Sequence, residues 1–199
     1  TGTLTTGEPV VQSIIPFADI SENDILQVAA SVEQSCFHPL ARAIVHRAQQ
    51  QSVVLDLVHD AVEIFGKGMA GFIAGKQVVV GSVLLLPNMS AQLKKRYDEI
   101  QNQGLTTVLV AKDGKALGVI TISDDIRHNA HRFIGKITKC GVAEVIMLTG
   151  DNLSVATKVA SELGIKKVVA SLLPENKVAE IIRLKAQHNG KVAMLGDGV

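Results

Sequence analysis

The stretch that decides the fold is Val145-Ile146-Met147-Leu148-Thr149-Gly150-Asp151-Asn152. An apolar run stops abruptly at Thr149, Gly150 and Asp151, and a helical pattern follows at once. This reads as a buried parallel strand whose carboxyl end presents a hydroxyl, a bare amide and a carboxylate. In open α/β sheets ligands sit outside such strand ends, and a helix N-terminus favours an anion there. A second run of this kind, Val192-Ala193-Met194-Leu195-Gly196-Asp197-Gly198-Val199, closes the chain. Two apolar strands that both stop at Gly and Asp suggest one site for a phosphate and a divalent cation.

Outward from that stretch, elements alternate regularly from Asp124 on. Helix (Ile126 to Lys139), strand (Ala143 to Leu148), helix (Leu153 to Leu163), strand (Lys167 to Ala170), helix (Pro174 to Gln187) and strand (Lys191 to Leu195) follow one another. Such alternation implies right-handed crossovers and a parallel sheet. Upstream the pattern differs. Val10 to Phe17 is a strand. Ser21 caps a helix from Glu22 to Ser35, with Asp24 three residues on. Cys36-Phe37-His38-Pro39 breaks it, and Pro39 suits the first turn of the next helix, Leu40 to Gln50. Ala61 to Phe65, Met69 to Ala74 and Gln77 to Val80 form a meander around Gly66-Lys67-Gly68 and Gly75-Lys76, ended by Gly81-Ser82. Ser90 to Asn102 is a helix closed by Gly104. Thr106 to Ala111 and Ala116 to Ile122 form a hairpin. The expected architecture is therefore α/β, with a parallel-sheet domain (1–8 and 123–199) and an inserted antiparallel α+β domain (9–122). The first residues join the parallel domain because Thr1-Gly2-Thr3-Leu4-Thr5 has the composition of a phosphate loop.

Composition narrows the class. With 47% hydrophobic and 20% charged residues, the 199-residue chain resembles a soluble α/β protein. Net charge is +1 without a basic block, and aromatics are 3% without Trp, which gives nucleic acid neither a charged footprint nor a row of stacking platforms. Cys36 and Cys140 stand far apart, so a disulfide framework is not expected and a cytosolic compartment is. No apolar run reaches the length of a membrane span. Both ends read as cuts in a longer chain, and the piece itself is expected to be monomeric.

The chemistry these residues suggest is phosphoryl transfer, which needs positioning and charge neutralisation. Thr149 and Gly150 can hold phosphate oxygens, with Asp151 beside them. Lys177, on the first turn of a helix that follows a strand, can reach over the same sheet edge. Asp197 offers a hard oxygen to Mg²⁺. Thr1 and Thr3 add hydroxyls, Thr1 as a further oxygen near the cation, and Gly2 allows close approach. Each feature also has a plain alternative: a βα turn with an N-cap, a Gly-Asp-Gly turn, a solvated lysine. In the middle region His38 sits in a helix break, where an imidazole can stack on or hydrogen-bond a purine. Glu33 can accept from an exocyclic amine. Gly66 and Gly68 leave the backbone bare for a nucleotide. Here the alternatives are a capping histidine and an ordinary hairpin turn. Cys36-x-His38 lacks the second pair a metal site needs. Phe65 and Met69 read as core, and His46, His128 and His131 as helix-face residues without a site role.

Taken in order, Thr1-Gly2-Thr3-Leu4-Thr5, Thr149-Gly150-Asp151 and Gly196-Asp197-Gly198-Val199 resemble the three phosphorylation-domain signatures of P-type ATPases. Asp124-x-x-Arg127 resembles their hinge motif. His38-Pro39-Leu40, Gly66-x-Gly68 and Gly81-Ser82 resemble the His-Pro motif and nucleotide-binding glycines of the heavy-metal branch. The resemblance spans essentially the whole chain. It implies a haloacid-dehalogenase-like phosphorylation domain with an inserted nucleotide-binding domain. ATP would be bound through Glu33, His38, Gly66, Gly68, Gly81 and Ser82, and its γ-phosphate passed to an aspartate. Lys177 would neutralise the aspartyl-phosphate, Thr149 and Gly150 would hold its oxygens, and Asp197 would bind Mg²⁺.

The resemblance further implies a cytoplasmic module of a membrane-embedded metal exporter, partnered by transmembrane and actuator domains of the same polypeptide. The sequence departs from the pattern at four places. The phosphorylated Asp and its following Lys would stand just before Thr1. The second acidic residue would follow Val199. Phe37 stands where the copper branch has Glu, and Ser82 where Asn is more usual. The run Ser31-Val32-Glu33-Gln34 before His38-Pro39-Leu40-Ala41 looks closer to zinc/cadmium/lead exporters. Two other readings stay open from the residues alone: a soluble phosphatase of the same superfamily with the middle region as cap, and a nucleotide-binding module without catalysis.

Overall fold

The computed structural model describes residues 2–189 and 191–196, with Pro174 described for its backbone only. The chain divides into two compact units, one from Pro9 to Ser123 and one made of the described residues up to Glu8 and from Asp124 on.

The Pro9–Ser123 unit is built on a six-stranded antiparallel sheet. Its strands are β1 (Val10–Pro16), β2 (His59–Ile64), β3 (Gly68–Ile73), β4 (Lys76–Gly81), β5 (Thr106–Lys112) and β6 (Lys115–Ser123), in spatial order β1-β6-β5-β4-β3-β2. Period-two alternation on β5 sends Val108 and Val110 into one core and Leu109 and Ala111 into another. The first core is covered by α1 (Glu22–Glu33) and α2 (Pro39–Gln50), which contribute Ile25, Leu26, Val32 and Ile44. The second is covered by α3 (Ala91–Gln101) through Tyr97 and Ile100. Burying each large aliphatic side chain stabilises the unit by roughly 2 kcal/mol. Ser21 caps α1 as its sequence suggests: its Oγ accepts from the Asp24 amide at 3.1 Å and donates to the Asp24 carboxylate at 2.6 Å. The helix ends at Glu33, two residues short of the sequence expectation.

The second unit alternates helix and strand: α4 (Ala130–Lys139), β7 (Ile146–Leu148), α5 (Leu153–Leu163), β8 (Lys167–Val169) and α6 (Pro174–Gln187). β7 and β8 pair in parallel, Met147 opposite Val168. Its core gathers Ala130, Ile134, Met147, Ala156, Ala160, Leu163 and Ile165. The main differences from the sequence reading are these. The strand expected from Ala143 forms only from Ile146, the span its parallel partner can ladder. The helix expected from Ile126 starts at Ala130, because Ile126 is taken by an antiparallel bridge to Thr5. The strand expected at Lys191 to Leu195 is absent. Its apolar run has no ladder partner among the described residues, and Met194 and Leu195 are 62% and 65% exposed. Apolarity alone does not make a strand, because the backbone groups need a neighbouring edge.

Candidate active site

The Thr149-Gly150-Asp151 loop follows β7 directly. The Thr149 side chain is buried, and its hydroxyl donates to the Asp151 carboxylate at 2.6 Å while accepting from the Asp151 amide at 3.1 Å. The hydroxyl therefore shapes the loop, and the exposed Gly150 amide is carried at its tip. The cap of α5 is Asn152, whose side chain accepts from Val155 N at 3.0 Å. A second loop is stitched to the first. Ser171 N donates to the Asp151 carbonyl at 2.8 Å and Leu172 N to the Thr149 carbonyl at 3.0 Å. That second loop leads straight into α6, so Lys177, half-buried on the first turn, starts beside the Thr149 loop. The parallel pair thus brings the Thr149 loop and the loop that leads to Lys177 together.

The N-terminal segment is held by a clasp. One Asp124 carboxylate accepts from the Thr5 hydroxyl (2.6 Å), the Thr6 hydroxyl (2.9 Å) and the Gly7 amide (3.1 Å). Arg127 donates to the carbonyls of Gly2 (2.9 Å) and Thr6 (3.2 Å). Buried Thr5 also accepts from Gly2 N at 2.9 Å. Thr3 is half-buried within this loop. Sequence reasoning missed Thr5. The signal was available: a threonine and a distant half-buried carboxylate at the two ends of an inserted segment. Thr1 and Asp197 lie outside the described residues, with Gly198 and Val199.

In the other unit, His38 is the N-cap of α2, its Nδ1 accepting from Leu40 N at 3.2 Å, and the ring is exposed. The plain alternative of a capping histidine is real, and it leaves the rest of the imidazole outward. Glu33, on the last turn of α1, is 6% exposed. Burial pushes its carboxyl up to about 7, with the Glu63 charge adding and a hydrogen bond with the Cys36 thiol opposing. Burial, and then the charges of Glu33 and Glu63, also push the Cys36 thiol up, against a hydrogen bond with the His38 backbone. The α1–α2 break therefore lies beside the end of β2. A cleft of about 240 Å³ opens there, lined by Glu33, Cys36, Arg42 and His46. A larger one, about 410 Å³, lies against β8 and α6 at Lys167, Glu180 and Arg183, and none of the expected site residues lines it.

Gly66, Gly68 and Gly81 have φ of +69°, +133° and +145°. Gly68 pairs with Gly81 across β3 and β4, and Ser82 N donates to the Lys67 carbonyl at 2.7 Å. A Cβ on Gly68 would stand 2.2 Å from the Val80 carbonyl oxygen, so this glycine is needed by the sheet itself. Gly66 faces open space. The Ser82 hydroxyl accepts from Leu84 N at 3.3 Å and caps a short 3₁₀ turn. One core assignment is reversed: Met69 is buried at 4%, but Phe65 is 85% exposed. Phe65 lies in the β2–β3 turn and not on a strand, where its type would have packed.

A parallel βα unit with a Thr-Gly-Asp strand end, a lysine-bearing helix beside it and a large insertion after an N-terminal loop defines a class. The chain belongs to the haloacid dehalogenase-like hydrolases, whose family profile matches residues 1–199. Within that class its relatives are heavy-metal P-type ATPases. It is 38% identical to a silver exporting P-type ATPase of Salmonella typhimurium, over 100% of this chain and 24% of that protein. It is equally 38% identical to a zinc/cadmium/lead-transporting P-type ATPase of Shigella sonnei, over 100% of this chain and 26% of that one. The chain thus spans about a quarter of the length of the curated relatives it matches. Among solved structures it matches the catalytic domain of the CPx-ATPase CopB-B, studied for conformational changes upon nucleotide binding. That match has a TM-score of 0.73 and 32% identity, over 100% of this chain and 71% of that one. Among the described residues, no helix is long and apolar enough to cross a membrane.

Proposed function

We propose that the chain is the ATP-binding and phosphoryl-transfer module of an ATP-driven heavy-metal cation exporter, working on the cytoplasmic side of a larger membrane protein. One observation carries this reading: the catalytic-domain match runs through both units, the α1–α2 cleft as well as the Thr149 loop. The Pro9–Ser123 unit binds ATP through Glu33, His38, Gly66 and Gly68, with Gly81 and Ser82 supporting the turn. The other unit receives the γ-phosphate on an aspartate that precedes Thr1 in the longer protein. There the Gly150 amide holds phosphate oxygens, the Thr149 hydroxyl fixes the loop that carries it through its bond to Asp151, and the Lys177 ammonium offsets their charge. The Asp124–Arg127 clasp keeps the segment that follows the acceptor in register. Transmembrane and actuator domains of the same polypeptide complete the transporter and choose the metal.

Mg²⁺ would neutralise the transferring phosphoryl group. Among the described residues no group of three His, Cys, Asp or Glu side chains is assembled to hold a metal. Asp151 contributes one carboxylate beside the phosphate loop, and the expected ligands Asp197 and Thr1 are outside the described residues.

The test is an ATP titration of the chain followed by NMR. Amide shifts are expected at Glu33, His38, Gly66 and Gly68. Shifts confined to residues from Asp124 on would overturn the nucleotide assignment.

A further inference from the structure

The unit built on β7 and β8 has a second end. Both strands run in the same direction and finish at the stitched Thr149 and Ser171 loops. Their first residues, Ile146 and Lys167, lie at the other end, to which α4 and α5 return the chain. The last turns of α6 meet them there, because Arg183, Leu184 and Gln187 share the cleft of about 410 Å³ with Ile146, Lys166 and Lys167. No residue of the phosphoryl-transfer reading stands at this end.

Its charge is one-sided. The last turn of α4 carries Lys136 and Lys139, the approach to β8 carries Lys166 and Lys167, and the end of α6 carries Arg183 and Lys185. Against these six cations stand three carboxylates, Glu144, Glu162 and Glu180. The excess of three is larger than the net +1 of the whole chain, so the rest of the chain is negative. Helix C-termini favour cations, and three helices end here with about half a negative charge each, which accounts for part of the excess. Ion pairing accounts for none of it. Lys167 pairs with Glu144 at 2.8 Å and Arg183 pairs with Glu180, and each pair cancels. Lys136, Lys139, Lys166 and Lys185 are exposed and form no ion pair among the described residues. Like charges gathered without partners suit an anionic surface.

The cleft narrows the kind of surface. It joins the apolar side chains of Ile146, Val168 and Leu184 to the cations Lys166, Lys167 and Arg183. A free phosphate uses only the cations. A phospholipid headgroup uses both, because its phosphate is joined to an apolar stem, and anionic lipids give the whole bilayer surface a negative potential. Lysine suits such a boundary, with its stem along apolar groups and its ammonium among the headgroups. Val142, 42% exposed in the turn between α4 and β7, adds an apolar side chain at the same end.

We propose that this basic end of the unit rests on an anionic phospholipid surface, with the cleft between β8 and α6 taking a headgroup phosphate. This rests on the reading of the chain as a module of a larger membrane protein and adds how the module meets lipid. It leaves the Thr149 loop, at the opposite end of the same strands, directed away from the bilayer.

The experiment is co-sedimentation of the 199-residue chain with vesicles of phosphatidylcholine alone and with phosphatidylglycerol as roughly a third of the lipid. Binding is expected only to the anionic vesicles, and is expected to vanish in about 1 M salt, where screening acts within about 3 Å. Lys139→Gln with Lys166→Gln should weaken it about 30-fold, roughly fivefold for each lysine. Lys95→Gln with Lys115→Gln removes the same charge from exposed positions of the other unit and should leave it nearly unchanged. An environment-sensitive dye on Cys140, exposed at the end of α4, in a Cys36→Ser background should shift to the blue on anionic vesicles. Equal losses from the two double variants would overturn the proposal in favour of net charge alone. Binding of inorganic phosphate or polyglutamate without binding of vesicles would overturn it in favour of another anion. If vesicles are not bound while ATP still shifts Glu33 and His38, the lipid contact falls and the proposed function stands. If neither is bound, both fall.

Discussion

Gly68 and Gly81 face each other across β3 and β4, and neither position has room for a side chain. A Cβ on Gly68 would lie 2.7 Å from the Gly81 Cα, and one on Gly81 would lie 2.8 Å from the Gly68 Cα. Two residues expected from resemblance as separate nucleotide contacts are therefore one structural unit. Gly68→Ala or Gly81→Ala should destabilise the Pro9–Ser123 unit by about 3 kcal/mol or more, from strained backbone plus a hard clash. Gly66→Ala, with left-handed φ but open space, should cost only about 1 kcal/mol. Urea denaturation followed by circular dichroism ranks the three. Equal losses would refute the paired-glycine account.

The Asp124 clasp makes a local prediction. Asp124→Ala removes the acceptor for two hydroxyls and an amide, and hydrogen bonds to a charged group are the stronger kind. A loss of about 2–3 kcal/mol is expected for the unit containing α4 to α6. Hydrogen exchange at the Thr6, Gly7 and Arg127 amides should accelerate, while β5 and β6 amides stay protected. Unchanged exchange at Gly7 would show that the clasp does not hold the N-terminal segment.

Glu33 predicts a pH dependence with a definite sign. Its carboxyl titrates about 7 in the folded chain against 4.5 when exposed, so the folded state binds the extra proton. Stability from this group is complete below 4.5, falls as pH rises from 4.5 to about 7, and is lost above that. The total is about 3 kcal/mol at most. Glu33→Gln should flatten that slope and exceed wild type in stability at pH 8. Denaturant midpoints at pH 5 and 8 decide it. A wild-type midpoint that rises across this interval, with Glu33→Gln parallel to it, would contradict the assignment.

His38 carries two roles that substitution can separate. Asn is as good a helix cap as any residue, so His38→Asn should retain the stability of α2, whereas His38→Ala should lose about 1 kcal/mol. Both variants should weaken ATP binding if the outward imidazole touches the purine. ATP affinity that follows only helix stability, falling in Ala and not in Asn, would leave His38 as a cap and nothing more.

Much of this was legible in the sequence because it is local. The Ser21 cap, the Pro39 helix start, the tight turns and the Thr-Gly-Asp strand end each depend on neighbours within four residues. What was not legible depends on partners far along the chain. Ile126 has a helical neighbourhood, yet Thr5 draws it into a bridge across 121 residues. Val192 to Leu195 has a strand's composition, but composition does not provide a strand edge. Phe65 reads as core by type, and only its place in the β2–β3 turn leaves it exposed. The Thr149 hydroxyl could be placed but not its partner, since the bond to Asp151 uses the group expected for phosphate.

The ladder that joins Val10 to Ser123 has a consequence for how such a chain can be cut and rejoined. The two ends of the Pro9–Ser123 unit are direct neighbours in its own sheet, and the other unit closes its gap through Thr6 N on the Asp125 carbonyl. Each piece therefore carries its own stitched seam. The insert behaves as a cassette: it can be expressed alone with paired termini, or removed and its place bridged by a short turn, without leaving either remainder with a frayed edge.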